Sequence, residues 1–305
     1  MGNDYDLIII GGGIAGMTAA IYAARANVKT LLLEKSVCGG LVNSTHVVEN
    51  FPSYPSINGM DLMEKVRDHV EALGVTVIEV VEIEHVQLQG DVKIIDTDEG
   101  RFQAPAVILA SGRTPKKLPL ESEFEQIHYC AICDGTSYKD KDVIVVGGGN
   151  SAVDESLYMI SLGVKSILLI EECDKLFASE ASCCQLRACK NVEIRTSTKM
   201  ESLLGEDRLE GVALRNVSDN SLLTRSTDGI FVYIGQEPKT EQYRNQVELD
   251  DVGYIKADPD MKTATRGVFA AGDVIRKKYR QITTAMGDAT IAALSAVEYL
   301  NTVKR

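Results

Sequence analysis

Two stretches of the chain run from an unbroken apolar block through a glycine turn into a helix and out into a second apolar block. The first, DLIIIGGGIAGMTAAIYAARANVKTLLLEK (6–35), reads as buried strand, tight turn, alanine-rich helix and strand. The second, DVIVVGGGNSAVDESLYMISLGVKSILLIEE (142–172), repeats that order. Each is a βαβ unit of about thirty residues, and two at this separation indicate an internal duplication, not a short solenoid repeat. Between them, VTVIEVVEIEHVQLQGDVKIIDTDEGRFQAPAVILAS (75–111) alternates as antiparallel strands do and closes in a buried strand.

RTPKKLP (113–119) follows, polar and proline-containing, and reads as a linker; STDGIFVYIGQEPKT (226–240) mirrors it, with Gly235 and Pro238 as the break. From Gly267 the chain returns to an apolar strand, GVFAAGDV, and then a helix, TTAMGDATIAALSAVEYLNTV (283–303). The layout predicted is discontinuous. Residues 1–113 and 241–305 form one domain and 114–240 are inserted as a second, the linkers acting as hinge. The fold class is α/β, with two Rossmann-like three-layer (ββα) dinucleotide-binding domains.

In the first loop, Gly11, Gly13 and Gly16 give the G-x-G-x-x-G spacing between strand and helix. The first allows the turn, the second lets a pyrophosphate reach the backbone, and the third lets the helix pack on the strand. Glu34, 23 residues beyond Gly11, ends the next strand, where a carboxylate accepts from a ribose 2′-hydroxyl. The second loop holds Gly147, Gly149 and Ala152, with Glu171 placed 24 residues beyond Gly147. By spacing it is an NAD-type site; equally, a duplicated unit keeps such glycines because strand–helix packing needs them.

Acids exceed bases by 12 over 305 residues, which argues against a general nucleic-acid or anionic-membrane role. No apolar run approaches the length of a membrane span, and MGNDYD enters the first strand without a signal-like segment. The expectation is a soluble cytoplasmic protein. Of seven cysteines, Cys130 and Cys133 form a C-x-x-C in HYCAICDGTSY. Zinc would need two further ligands at matching spacing, which the four histidines and remaining cysteines do not offer. Two buried structural thiols are a second reading; a redox disulfide is the third and favoured one, with Asp134 beside it to shuttle a proton. The other five cysteines read as reduced thiols packed as small hydrophobes.

Taken in order, these features resemble the low-molecular-weight thioredoxin reductases over essentially the full length. The matching segments are GGGIAGMTAAIYAARA, the glycine pair at 39–40, VENFP (48–52), CAICDG (130–135), GGGNSAVDES (147–156), IGQEPKT (234–240) and GVFAAGDV…YRQITTA (267–285). The resemblance implies FAD in the discontinuous domain, with Gly40, Asn50 and Gly272 among the residues that hold it. Asp273 would lie on the ribityl chain, and Arg280, Gln281 and Ile282 beside the flavin ring. It implies that Cys133 faces the flavin, that Cys130 attacks thioredoxin, that Asp134 is the acid–base, and that the enzyme is a homodimer with a rotating inserted domain.

The departures bear on the electron donor. NADPH-using members carry a His-Arg-Arg run and a further arginine where this chain has Glu171, Glu172, Cys173 and Phe177. Each lost charge-assisted bond to the 2′-phosphate removes about 1.5–3 kcal/mol. A carboxylate about 4 Å from a phosphate repels by roughly 1–4 kcal/mol, depending on the local dielectric. The difference is about a thousandfold in affinity or more, so NADPH is not expected as donor. NADH, with Glu171 on its ribose, is one alternative. Reduced ferredoxin or a similar carrier is the favoured one: a couple near about −400 mV can reduce thioredoxin near about −270 mV. Arg276, Lys277 and Lys278 stand where the family has an acid and neutral residues, and form either a solvated turn or a docking patch for an acidic carrier, which Lys116 and Lys117 would extend. A flavin-dependent dithiol oxidase is a further alternative. Leu41 replaces the family's glutamine after the glycine pair.

Overall fold

The computed structural model describes residues 4–303. It divides into two compact units: the chain up to Thr114 together with the chain from Glu237 onward, and Pro115–Gln236 between them. Residues 237–240 belong to the first unit because Lys239 N donates to Gly112 O and Thr240 Oγ1 to Gly253 O.

The first unit is built on a five-stranded parallel sheet in the order Val268–Ala270, Ala106–Leu109, Leu7–Ile10, Thr30–Leu33, Thr76–Ile78. Its strands are apolar except for Thr30 and Thr76, because both faces of the inner strands are covered. Alternation divides them: Leu7 and Ile9 enter the core beneath the helices Ile14–Arg25, Gly59–Ala72 and Ile282–Val303. Ile8 and Ile10 enter a second core, closed by the antiparallel strands Ile83–Gln87, Lys93–Thr97 and Gly100–Ala104. Alanines are the contact residues of the first and last helices, Ala19, Ala20 and Ala23 on one and Ala285, Ala289 and Ala292 on the other, all buried in one core. Thr76–Ile78 departs from the antiparallel pattern expected of 75–111: it pairs in parallel with Thr30–Leu33 and finishes the central sheet.

The inserted unit repeats these layers. Its parallel sheet runs Val192–Arg195, Ser166–Ile170, Asp142–Val146, Gly229–Val232, Ile127–His128. The helices Asn150–Ser161 and Glu180–Ala188 contribute to one core, and the antiparallel strands Thr198–Leu204, Gly211–Asn216 and Leu222–Ser226 to the other. Among the described residues no helix is long and apolar enough to cross a membrane.

Candidate functional site

The two glycine turns are built alike. Gly11 adopts φ +109° and Gly147 φ +127°, and a Cβ on either would lie 2.3 Å from a carbonyl oxygen, that of Ala110 or of Tyr233. Gly11 N donates to Leu33 O and Gly147 N to Ile170 O, each at 2.8 Å. Glu34 Oε2 accepts from Gly12 N at 2.6 Å, and its Oε1 from Ser36 N at 2.9 Å. Glu171 takes the corresponding place: its Oε1 accepts from Cys173 N at 2.9 Å, and a Cβ on Gly148 would meet its Oε2 at 2.7 Å. The segment after each second strand ties back to the loop, Gly39 N to Gly12 O and Phe177 N to Gly148 O.

The difference lies in what those segments present. In the first unit Gly39 and Gly40, both at positive φ, lie against Gly13. In the second, the residue bonded to the loop is Phe177, whose side chain is 57% exposed. Gly149 has open space beside it, and Ala152 is fully buried where the first loop has Gly16.

Other expected cofactor residues of the first unit meet in pairs. Gly272, at φ +80°, lies close to Ala15 in the first helix. Asn50 Nδ2 donates to Gln281 Oε1 at 3.1 Å, just before Ile282 opens the last helix. The Arg280 guanidinium lies 4.2 Å from the Tyr254 ring centroid. Asp273 Oδ2 accepts from Arg113 Nη2 at 2.9 Å. Arg113, expected in the linker, lies just beyond the carboxyl end of a sheet strand, the signal that points to a site residue. Three buried polar atoms here, Arg113 Nε, Asp273 Oδ1 and Arg280 Nε, have no hydrogen-bond partner. Lys277 Nζ lies 3.3 Å from Asp273 Oδ1, an ion-pair contact without hydrogen-bond geometry. Buried polar groups are normally satisfied, so Arg113 Nε and Asp273 Oδ1, on two side chains bonded to each other, fit a polar ligand lying along Asp273.

Lys277 corrects one expectation. It is only 12% exposed, held between Asp273 and Asp288 Oδ2, the latter at 2.7 Å, and so adds nothing to a solvent-facing patch. Arg276 and Lys278 are exposed, with Lys278 over the Tyr279 ring. Lys116 and Lys117 belong to the other unit. Nothing in the structure explains Leu41. The scattered cysteines are also corrected: all five are free, but Cys173 and Cys184 are exposed and only Cys38 and Cys183 are buried. Burial, with Glu79 and Glu34 nearby, pushes the Cys38 thiol up to about 12.

Cys130 and Cys133 are joined as a disulfide with Cα atoms 5.4 Å apart. Cys130 caps the short helix Ala131–Asp134, its Sγ accepting from Cys133 N at 3.2 Å. Cys133 is exposed and Ala131 is buried. Ala131 N donates to Glu155 Oε2 at 2.8 Å, and Tyr233 OH donates to the same oxygen at 3.0 Å. Burial raises the Glu155 carboxyl above its ordinary value, and the Tyr233 phenol is raised by burial and by Glu155. Sequence reasoning missed Glu155, which only the fold brings under the cysteines.

A carboxyl raised by burial costs stability once pH exceeds its unfolded value, and that cost grows until the folded group ionises. Glu155→Gln keeps an acceptor for both donors and removes the charge. It is expected to raise the melting temperature near about pH 8 and to lose that advantage toward about pH 5, as thermal denaturation at the two pH values would check.

Among known proteins, the sequence pattern described as pyridine nucleotide-disulphide oxidoreductase matches residues 5–289. The chain belongs to that family. It is 42% identical over 97% of its length, and 97% of the other's, to the Clostridium pasteurianum protein named "34.2 kDa protein in rubredoxin operon". It is 38% identical to a Streptomyces clavuligerus thioredoxin reductase, covering 98% of this chain and 95% of that one. The crystal structure of Lactococcus lactis thioredoxin reductase matches with a TM-score of 0.92 and 36% identity, over 98% and 99% of the two chains. The protein is thus a thioredoxin reductase-like flavoenzyme, an FAD-dependent disulfide oxidoreductase with the α/β fold and a redox-active cysteine pair.

Proposed function

We propose that the enzyme carries electron pairs from its bound FAD to the Cys130–Cys133 disulfide and from the resulting dithiol to thioredoxin, as a homodimer. Its electrons come from reduced ferredoxin or a similar low-potential carrier, not from NADPH. FAD, when bound, supplies a centre that accepts electrons singly and gives them up in pairs. The turn at Gly11, Gly13 and Gly16 and the helix start behind it receive the pyrophosphate. Glu34 keeps lone pairs free for a ribose hydroxyl. Asp273, paired with Arg113, would hold the ribityl chain. Asn50, Arg280, Gln281 and Ile282 would serve the ring, and Gly40 would give the backbone clearance beside Gly13. Cys133 would take electrons from the flavin, Cys130 would attack the partner, and Asp134 would carry the proton.

The observation that carries the donor assignment is the second loop. Where a 2′-phosphate would sit, the structure has the Glu171 carboxylate against Gly148, and Phe177 bonded to the loop in place of an arginine. Gly147, pressed against Tyr233 O, and the buried Ala152 then serve packing within the unit. A relative's place in a rubredoxin operon accords with a carrier of the iron type. Arg276 and Lys278 offer cationic side chains for such a partner to meet. A second reading, NADH as donor, has its own support: Glu171 matches Glu34 in placement, and Glu34 is the proposed ribose ligand.

Anaerobic titration of the yellow protein with NADPH, NADH and reduced ferredoxin, following flavin bleaching, decides between them. Ferredoxin alone is expected to bleach the flavin stoichiometrically. Bleaching by micromolar NADH would transfer the role to Glu171, and bleaching by NADPH would overturn the donor assignment. Rapid oxygen uptake with dithiols, and no thioredoxin turnover, would make the protein an oxidase instead.

A further inference from the structure

The redox helix Ala131–Asp134 is seated on the helix Asn150–Ser161. Ala131 is fully buried in the core that holds Ala152, Val153 and Met159. A Cβ on Gly135, the next residue after the redox helix, would lie 3.1 Å from Leu162 and 3.6 Å from Met159, so the seat is close. One side chain of the supporting helix reaches into it. Glu155 Oε2 accepts from Ala131 N at 2.8 Å and from Tyr233 OH at 3.0 Å. Tyr233 is itself fixed, its N donating to Val146 O at 2.7 Å and its carbonyl oxygen standing against Gly147. At the other end of the redox helix, Asp134 Oδ2 lies 3.2 Å from His128 Nδ1.

Ala131 N belongs to the peptide that follows Cys130, and its direction depends on the Cys130 ψ, 108° in extended backbone. A bond to that N–H therefore fixes how Cys130 enters the helix. Two bonds within the cysteine loop join its ends, Cys133 N to Cys130 Sγ and Asp134 N to Cys130 O, each at 3.2 Å. The bond to Glu155 ties the loop to the supporting helix. Opening the disulfide removes the covalent link and leaves these bonds to hold the thiols at closing distance. Without an acceptor at 155, Ala131 N is a buried donor with no partner, which is unfavourable. The disulfide keeps it there, whereas the reduced loop can turn it out to water. The cost falls on the oxidised form, and the balance moves toward the dithiol.

We propose that Glu155 is a positioning residue for the cysteine pair, holding the Cys130–Ala131 peptide in the reduced enzyme so that closure of the disulfide is favoured. This rests on the reading of Cys130 and Cys133 as the pair that exchanges electrons. Closing the pair is the step that releases two electrons, so easier closure makes a stronger reductant of thioredoxin. The role asks for an accepting oxygen, which a carboxyl and a carboxamide both supply.

The test equilibrates the holoenzyme with lipoate and dihydrolipoate, without air, thioredoxin or electron donor. Alkylation then quenches the mixture, and mass spectrometry reads the peptide holding Cys130 and Cys133. The pair gives two electrons and two protons to lipoate, whose S–S bond opens as the Cys130–Cys133 bond closes. Glu155→Leu, apolar and without an acceptor, is expected to shift the equilibrium about tenfold toward the dithiol, about 30 mV. Glu155→Gln is expected to keep the parent equilibrium. A merely structural loss weakens both redox forms alike and leaves the equilibrium in place. A folded leucine variant at the parent equilibrium would therefore overturn the proposal, as would a glutamine variant shifted as far as leucine. If leucine prevents folding, hydrogen exchange of the parent decides. The Ala131 amide is expected to stay protected after reduction, and its release on reduction would remove the role. A parent pair that does not equilibrate reversibly with lipoate would end the redox reading and the proposal with it. A reversible parent beside an unmoved leucine variant removes the role of Glu155 alone.

Discussion

Replacing Cys133 with serine is expected to leave a folded, yellow protein and to lower thioredoxin reduction by at least about a thousandfold, the scale seen when a covalent participant is removed. The structure makes this variant a report on chemistry. Cys133 is exposed, and the disulfide that the variant lacks joins residues only 3 apart in sequence, so its loss is expected to cost about 2 kcal/mol, the low end for a disulfide. A serine hydroxyl is neither a thiolate nor able to close a disulfide, so the electron path ends at the flavin. Cys130→Ser makes a sharper companion, because Cys130 is the cap of its helix through Cys133 N and serine is a better cap than cysteine. That variant also loses turnover, but it retains the sulfur assigned to the flavin side. Its expected mark is a long-wavelength absorbance from a thiolate against the oxidised ring. The band in Cys133→Ser and not in Cys130→Ser would exchange the two roles, and thioredoxin reduction retained by Cys133→Ser would remove Cys133 from the path.

What could be read from the sequence follows how local each signal is. The two βαβ units were legible because apolar block, glycine and helix follow one another within thirty residues, and Glu34 and Glu171 because the second strand fixes where they end. The antiparallel layer of the inserted unit was harder to read. Its strands, Thr198–Leu204 and Leu222–Ser226 among them, pair with their neighbours in the chain but are half exposed, which weakens the apolar alternation that would mark them. Arg113 and Lys277 were misplaced for one reason: a basic residue in a polar run looks solvated, and only the fold reveals that Asp273 and Asp288 enclose it. His128 and Glu155 carry no sequence mark. One ends a strand of two residues and the other lies on a helix 25 residues beyond Cys130, so their meeting at the cysteine pair comes from sheet order alone.

The same distinction governs the second large expected effect, the loss of FAD from Gly16→Ala. A Cβ at Gly16 would lie 1.8 Å from Gly11 O. That oxygen cannot retreat easily, because Gly11 is itself fixed at φ +109° with the Ala110 carbonyl behind it. The helix must then move off the strand and carry the loop's N–H groups away from the pyrophosphate. Overpacking of this kind costs about 1–3 kcal/mol, which at the loop is about ten- to a hundredfold in FAD affinity. The reciprocal change, Ala152→Gly, touches a fully buried methyl group in the duplicated turn. It is expected to cost about 1 kcal/mol through helix propensity and to leave flavin content unaltered. Flavin-to-protein ratios after gel filtration, with melting curves of both variants, measure the two effects together. Full flavin in Gly16→Ala would remove the first loop as the cradle of the cofactor. Loss of flavin from Ala152→Gly would mean that the second turn, which tolerates a Cβ where the first does not, had kept a hold on the cofactor after all.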